Sequence, residues 1–131
     1  MISFDFDGTL SDEFDGSINS QKEEIQKIAK NYINAGHNVV IITKRFSKEF
    51  SQLGKINEHL EVFELASKLG IKFVYFTNRE MKFNTIINLN VDIHFENSEY
   101  EVQLINQACD DCLHKCKVVP VEDPYWRDLV Y

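Results

Sequence analysis

Met1-Ile2-Ser3-Phe4-Asp5-Phe6-Asp7-Gly8-Thr9 opens the chain. Ile2 to Phe6 is short and mostly apolar and reads as a buried strand that runs into two aspartates. Residues i and i+2 of a strand point to one face, so Asp5 and Asp7 are expected side by side. Two carboxylates placed together repel unless a proton or a cation intervenes. A hard divalent ion with oxygen ligands meets that need, and Mg²⁺ is the usual one where phosphate is handled. The pair also suits a division of labour: one carboxylate attacks phosphorus, and the other moves protons to the leaving oxygen and from water. Gly8 lets the chain turn sharply, and Thr9 offers a hydroxyl and an amide to an anion. Taken alone, Asp-x-Asp is also an ordinary polar strand end before an Asp-Gly turn.

Outward from this strand the pattern alternates. Ser11 to Ser20 is a polar loop. Ser20 with Glu23 three residues on reads as a capping box, opening a helix with Ile25, Ile28, Ala29, Tyr32 and Ile33 at helical spacing; Gly36 is its expected stop. Asn38 to Thr43 is an apolar run of the kind buried on both faces of a parallel sheet. Phe46 to Leu53 reads as a short helix and Asn57 to Leu69 as a longer one stopped by Gly70. Ile71 to Thr77 is a third strand, Met81 to Leu89 a short helix, and Val91 to Phe95 a fourth strand. Ser98 caps a helix reaching at least Ala108, and Lys117 to Val121 is a fifth strand that Pro120 places at an edge. Such βα alternation implies an α/β fold, a Rossmann-like three-layer α/β/α sandwich with a mainly parallel five-stranded sheet. At 131 residues with 44% hydrophobic composition, the chain fits a single domain spanning 1–131 with a real core.

The net charge of −7 disfavours non-specific binding to nucleic acid or anionic membranes, although it leaves room for a local basic pocket. Nothing reads as a signal peptide or a membrane span. The three cysteines suit reduced thiols in a cytoplasmic protein.

Parallel sheets bind ligands at the carboxyl ends of their strands, which here carry Asp5 to Thr9, Thr43-Lys44-Arg45, Thr77-Asn78-Arg79 and Glu96-Asn97. Thr43 can offer a hydroxyl and an amide to a phosphoryl oxygen, with Arg45 assisting. A lysine is needed to hold the phosphoryl group and offset the carboxylates. Lys82 fits, with Arg79 as its rival; a lysine in a helix's first turn opposes the helix dipole, a misfit that favours a functional role.

Asp5-Phe6-Asp7-Gly8-Thr9 resembles the first motif of the haloacid dehalogenase superfamily. The resemblance implies that Asp5 is the nucleophile and Asp7 the general acid/base, with Asp5 and the Asp7 main-chain carbonyl holding Mg²⁺. Thr43 resembles the second motif and Lys82 the third. The fourth, usually two aspartates after the fourth strand, is replaced by Glu96-Asn97. Glu96 still offers a carboxylate to Mg²⁺, from a side chain longer by roughly one bond, ~1.5 Å, and Asn97 offers a neutral oxygen. The resemblance spans residues 1 to about 121 and implies a magnesium-dependent phosphohydrolase, a phosphoric monoester hydrolase. The altered fourth motif supports the alternative of a weak or inactive protein that binds a phosphorylated ligand or partner.

The short stretch from Asp7 to Ser20, and that from Thr43 to Lys82, leave no room for a cap domain. An open site admits large substrates, such as a phosphorylated protein or nucleic-acid end, or is covered by a second copy in a homodimer; residues 11 to 19, with Phe14, form a candidate flap. Cys109, Cys112, His114 and Cys116 could supply four zinc ligands, at spacings tighter than usual for zinc, so thiols on one helix face are the expectation. Among the remaining histidines, His37, His59 and His94 read as structural or surface residues, not catalytic ones. Tyr125, Trp126 and Tyr131 read as a tail packed over an edge or offered to a partner.

Overall fold

The computed structural model describes residues 1–131. Five strands form: β1 (Ile2–Phe4), β2 (Val39–Thr43), β3 (Phe73–Phe76), β4 (Ile93–Glu96) and β5 (Lys117–Pro120). All pairings are parallel, in the order β3-β2-β1-β4-β5. The sheet is thus wholly parallel, and Pro120 does fall on an edge strand, where a missing N–H breaks no ladder on the open side. The connections are α1 (Lys22–Asn34), α2 (Glu58–Leu69), α3 (Phe83–Asn88) and α4 (Glu99–Asp111).

Alternation within β2 explains the three layers. Val39 and Ile41 belong to a core with Ile25, Ile28 and Ala29 of α1 and Val62, Ala66 and Leu69 of α2. Val40 and Ile42 face the opposite way, onto Ile86 of α3 and Ile105 and Cys109 of α4. Successive strand residues point to opposite faces, so an unbroken apolar strand requires helices on both sides. In the first core, the rings of Phe4 and Phe95 stack at 4.4 Å and Tyr32 meets Phe95 edge-on. Each such buried side chain contributes about 1.5–3 kcal/mol relative to exposure.

Some local expectations change. Ser20 makes no cap: α1 begins after Gln21, whose side chain instead reaches the tail. Ser98 does cap α4, its Oγ accepting from the Glu101 amide. Residues 48–53 coil as a 3₁₀ turn (Lys48–Leu53) with no buried residue. The tail forms a second one (Trp126–Leu129): Trp126 is buried, its Nε1 donates to Gln21 Oε1 at 2.7 Å, and Arg127 pairs with Glu24. Tyr125 and Tyr131 remain exposed. Between β2 and β3 lie only the first 3₁₀ turn and α2. No helix is long and apolar enough to cross a membrane.

Candidate active site at the strand tips

The strand order reverses direction between β1 and β4, and the carboxyl ends there form the crevice in which parallel sheets hold ligands. β1 ends at Phe4, and the chain coils from Phe6 to Leu10 in a single wide turn closed by the Ser11 amide on the Phe6 carbonyl. Gly8 sits in that turn at φ +74°, a conformation costly for any residue with a Cβ. A Cβ there would also lie 2.2 Å from Asn97 Nδ2 and 2.6 Å from Glu13 Oε1. Gly8 therefore provides both the turn and the room for two neighbouring side chains.

Lys82 is the centre of the buried cluster. It caps α3, and its Nζ donates to Asp5 Oδ1 at 2.7 Å and to Glu96 Oε1 at 2.7 Å. Glu101 lies 3.9 Å away and accepts the Lys82 amide at 3.3 Å. All four side chains are at least 90% buried. The misfit of a lysine at a helix start is thus offset by carboxylates from β1, β4 and α4. Thr9 Oγ1 donates to Asp5 Oδ2 at 3.1 Å.

Two close carboxylates share one ammonium, and they are not equally supported. Burial opposes ionisation of Glu96, yet Lys82, His94 and the Ser98 amide hold it down, at about 2. Asp5 has fewer donors; burial, and then the Glu96 charge, push it up to about 8. Burial would lower Lys82, but Asp5 and Glu96 outweigh it and hold the ammonium charged. Burial also raises Glu101, whose Oε1 has no partner. The cluster thus holds more carboxyl groups than the single Lys82 ammonium can keep ionised, and Asp5 retains a proton.

Asp7 does not stand beside Asp5 in a shared strand face, because β1 has ended before it. It is held in a fork by Arg45, Nε to Oδ2 at 3.0 Å and Nη2 to Oδ1 at 2.7 Å. Arg45 is itself buried and also donates to the Glu58 carbonyl at 2.6 Å. The expected substrate-binding arginine is therefore a clamp on Asp7, and the Thr9 hydroxyl, expected to meet an anion, is turned onto Asp5. Thr43 is buried at the tip of β2, with its hydroxyl accepting the Arg45 amide at 3.3 Å. Asn97 turns its amide toward Glu13 at 3.4 Å. Arg79, the rival of Lys82, forks instead onto Glu58.

His94, expected to be structural or on the surface, is buried within the cluster. Its Nε2 lies 2.9 Å from Glu96 Oε1 and its Nδ1 2.7 Å from Ser3 Oγ. Burial lowers its pKa, so the ring is neutral. An ionised Glu96 only accepts, so Nε2 carries the proton and Nδ1 accepts from Ser3. The signal was present in the period-2 spacing of His94 and Glu96 on one strand. Glu58, which receives the Arg79 fork and the amides of Phe46 and Lys55, had no such signal.

The donor chemistry at the tips is all oxygen, which suits a hard cation whose charge would take the place of the Asp5 proton. No three acidic, imidazole or thiol groups converge on a common point, however, and both Glu96 oxygens already accept hydrogen bonds. The residues fit Mg²⁺ in kind: Asp5 accepts one hydrogen bond at each oxygen and Glu101 leaves Oε1 without any. Zinc does not fit the cysteine segment. Cys109 is buried on α4, Cys112 is exposed at its end, Cys116 lies beyond it, and His114 Nε2 is bonded to the Val91 carbonyl at 2.9 Å. The common helix face expected for the thiols stops at Cys112.

No family model matches the chain, and neither a curated protein nor a solved structure matches it significantly.

Proposed function

We propose that the chain is a member of the haloacid dehalogenase superfamily and a magnesium-dependent phosphohydrolase. The observation that carries this reading is the buried Asp5, placed at the tip of the first strand with Lys82 Nζ 2.7 Å from its carboxylate. In this reading Asp5 attacks phosphorus, the P–O bond to the leaving group breaks, and the leaving oxygen takes a proton from Asp7. Asp7 then takes a proton from water as that water attacks the aspartyl phosphate, releasing phosphate and restoring Asp5. Lys82 and the tip of β2 at Thr43 hold the phosphoryl oxygens; electrostatic stabilisation of this kind is usually the largest catalytic contribution. The Arg45 fork fixes the direction of Asp7. Asp5, the Asp7 carbonyl, Glu96 and Asn97 would hold Mg²⁺, which when bound supplies positive charge against the transferring phosphoryl group.

Free thiols at all three cysteines suit a reducing compartment such as the cytoplasm, and the short β1–α1 and β2–β3 connections suit an uncapped site open to large phosphorylated substrates. One observation favours a second reading. Glu96 is fully engaged by Lys82, His94 and the Ser98 amide, which suits a protein that binds a phosphorylated ligand with little or no turnover. Phosphate release from a panel of phosphate esters, with and without Mg²⁺, decides between them. Magnesium-dependent release that Asp5→Asn abolishes is expected; release that survives Asp5→Asn refutes the nucleophile, and no release in either protein favours the binding reading.

A further inference from the structure

Four cations gather beside the strand tips of a chain whose net charge is −7. Lys44 and Arg45 follow β2, Lys55 precedes α2, and Arg79 follows β3. Two of them are committed, Arg45 to Asp7 and Arg79 to Glu58. The other two form no ion pair. Lys44 Nζ reaches only the Met81 sulfur, at 4.0 Å, and Lys55 Nζ lies 5.8 Å from the centre of the Phe14 ring.

Phe14 ties the group together. Its ring centre is 5.1 Å from the Arg45 guanidinium carbon and 5.2 Å from that of Arg79. Beside the ring opens a cavity of about 230 Å³ lined by Asp7, Phe14, Lys44, Arg45 and Arg79. In this lining Asp7 offsets Arg45, which also meets the exposed Glu61 at 3.4 Å outside the cavity, and Glu58 offsets Arg79, which leaves Lys44 as the one lining cation without a carboxylate partner. The cavity adjoins the reacting end of the site through Asp7. A lysine carries a compact, mobile ammonium, and one left without a carboxylate partner raises the local concentration of an incoming anion.

We propose that this cavity receives a second anionic group of the substrate, held by Lys44, with Lys55 outside the lining and reaching it across the Phe14 ring. The preferred substrates are then phosphate esters whose leaving group carries a further phosphate. For turnover this inference rests on Asp5 being the nucleophile; for binding it does not.

The test separates the two. Binding to the Asp5→Asn protein is measured by calorimetry for adenosine bisphosphate against adenosine monophosphate, and for fructose bisphosphate against fructose monophosphate. Two skeletons ensure that the second charge is read, not the base. A solvated ion pair contributes a factor of about two to five, so each bisphosphate is expected to bind about two- to fivefold more tightly for each lysine engaged. The preference should shrink with added salt and fall in Lys44→Ala and, separately, in Lys55→Ala. Equal affinity within both pairs, or a preference unchanged by both substitutions, overturns the inference. Phosphate release by the unmodified protein is measured on the same esters. Release without a bisphosphate preference in kcat/KM overturns the inference and leaves the phosphatase reading standing. A binding preference with no release from any ester supports the inference and removes that reading.

Discussion

Replacing Asp5 by asparagine should make the protein more stable at neutral pH while removing its chemistry. The side chain keeps its shape and loses a charge that the structure supports poorly. Asp5 shares Lys82 with Glu96 and lies beside that second carboxylate in a buried cluster, which lifts it from an ordinary value of 3.8 to about 8. The native state therefore binds a proton there that the unfolded chain releases. Stability is highest below the unfolded pKa and falls as pH rises through the window from about 4 to about 8. At pH 7 about three pH units of that window are crossed, at about 1.4 kcal/mol each, an upper limit of about 4 kcal/mol. Relaxation and water entry keep real burial penalties well below such limits, so the expected gain for Asp5→Asn is about 1–3 kcal/mol. Urea unfolding of both proteins, in chelator and across this pH range, measures it. The gain should grow with pH and vanish near pH 4. An Asp5→Asn protein less stable than the parent at pH 7, or a difference that does not vary with pH, refutes the argument that Asp5 is the strained carboxylate.

Lys82→Met leaves two buried carboxylates without their cation and should cost about 3–5 kcal/mol, read as a fall in the urea midpoint that lower pH partly restores. His94→Phe should remove an acid sensitivity. The native ring stays neutral while the unfolded one protonates, so stability falls as pH drops below about 6.5, and the variant's stability curve should be flatter there; an equally steep curve counts against a neutral buried imidazole. Trp126→Ala, which empties the core beneath the tail and removes the indole donor from Gln21, should cost about 3–5 kcal/mol, seen as a lower melting temperature. Mg²⁺ should raise the melting temperature of the parent through linkage and that of Asp5→Asn much less; equal shifts argue that the ion binds elsewhere.

The layered sheet was legible because Val39 to Ile42 is apolar at every position, which only a strand covered on both faces accommodates. Lys82 was legible mainly through its resemblance to the family's third motif, and its misfit at a helix start, which nearby acids offset, added slight support. Ser20 misled because its spacing to Glu23 satisfies a local rule, while Gln21 is drawn away by Trp126 a hundred positions later. Arg45 was placed near the site correctly, but whether it faces substrate or Asp7 depends on where β1 stops, which composition does not encode. The cysteine segment depended in the same way on where α4 ends.

The Ser3–His94 hydrogen bond has a consequence beyond the site. It joins β1 to β4 at the one seam in the sheet where strands far apart in sequence must find each other, with Ser3 opposite His94. An apolar strand offers little to distinguish one alignment from its neighbours. Here a slip of one residue would bury an imidazole with no hydroxyl and carry Glu96 away from Lys82. The polar pair works as a key cut into an otherwise greasy joint: it adds little to adhesion and admits one alignment of the two halves.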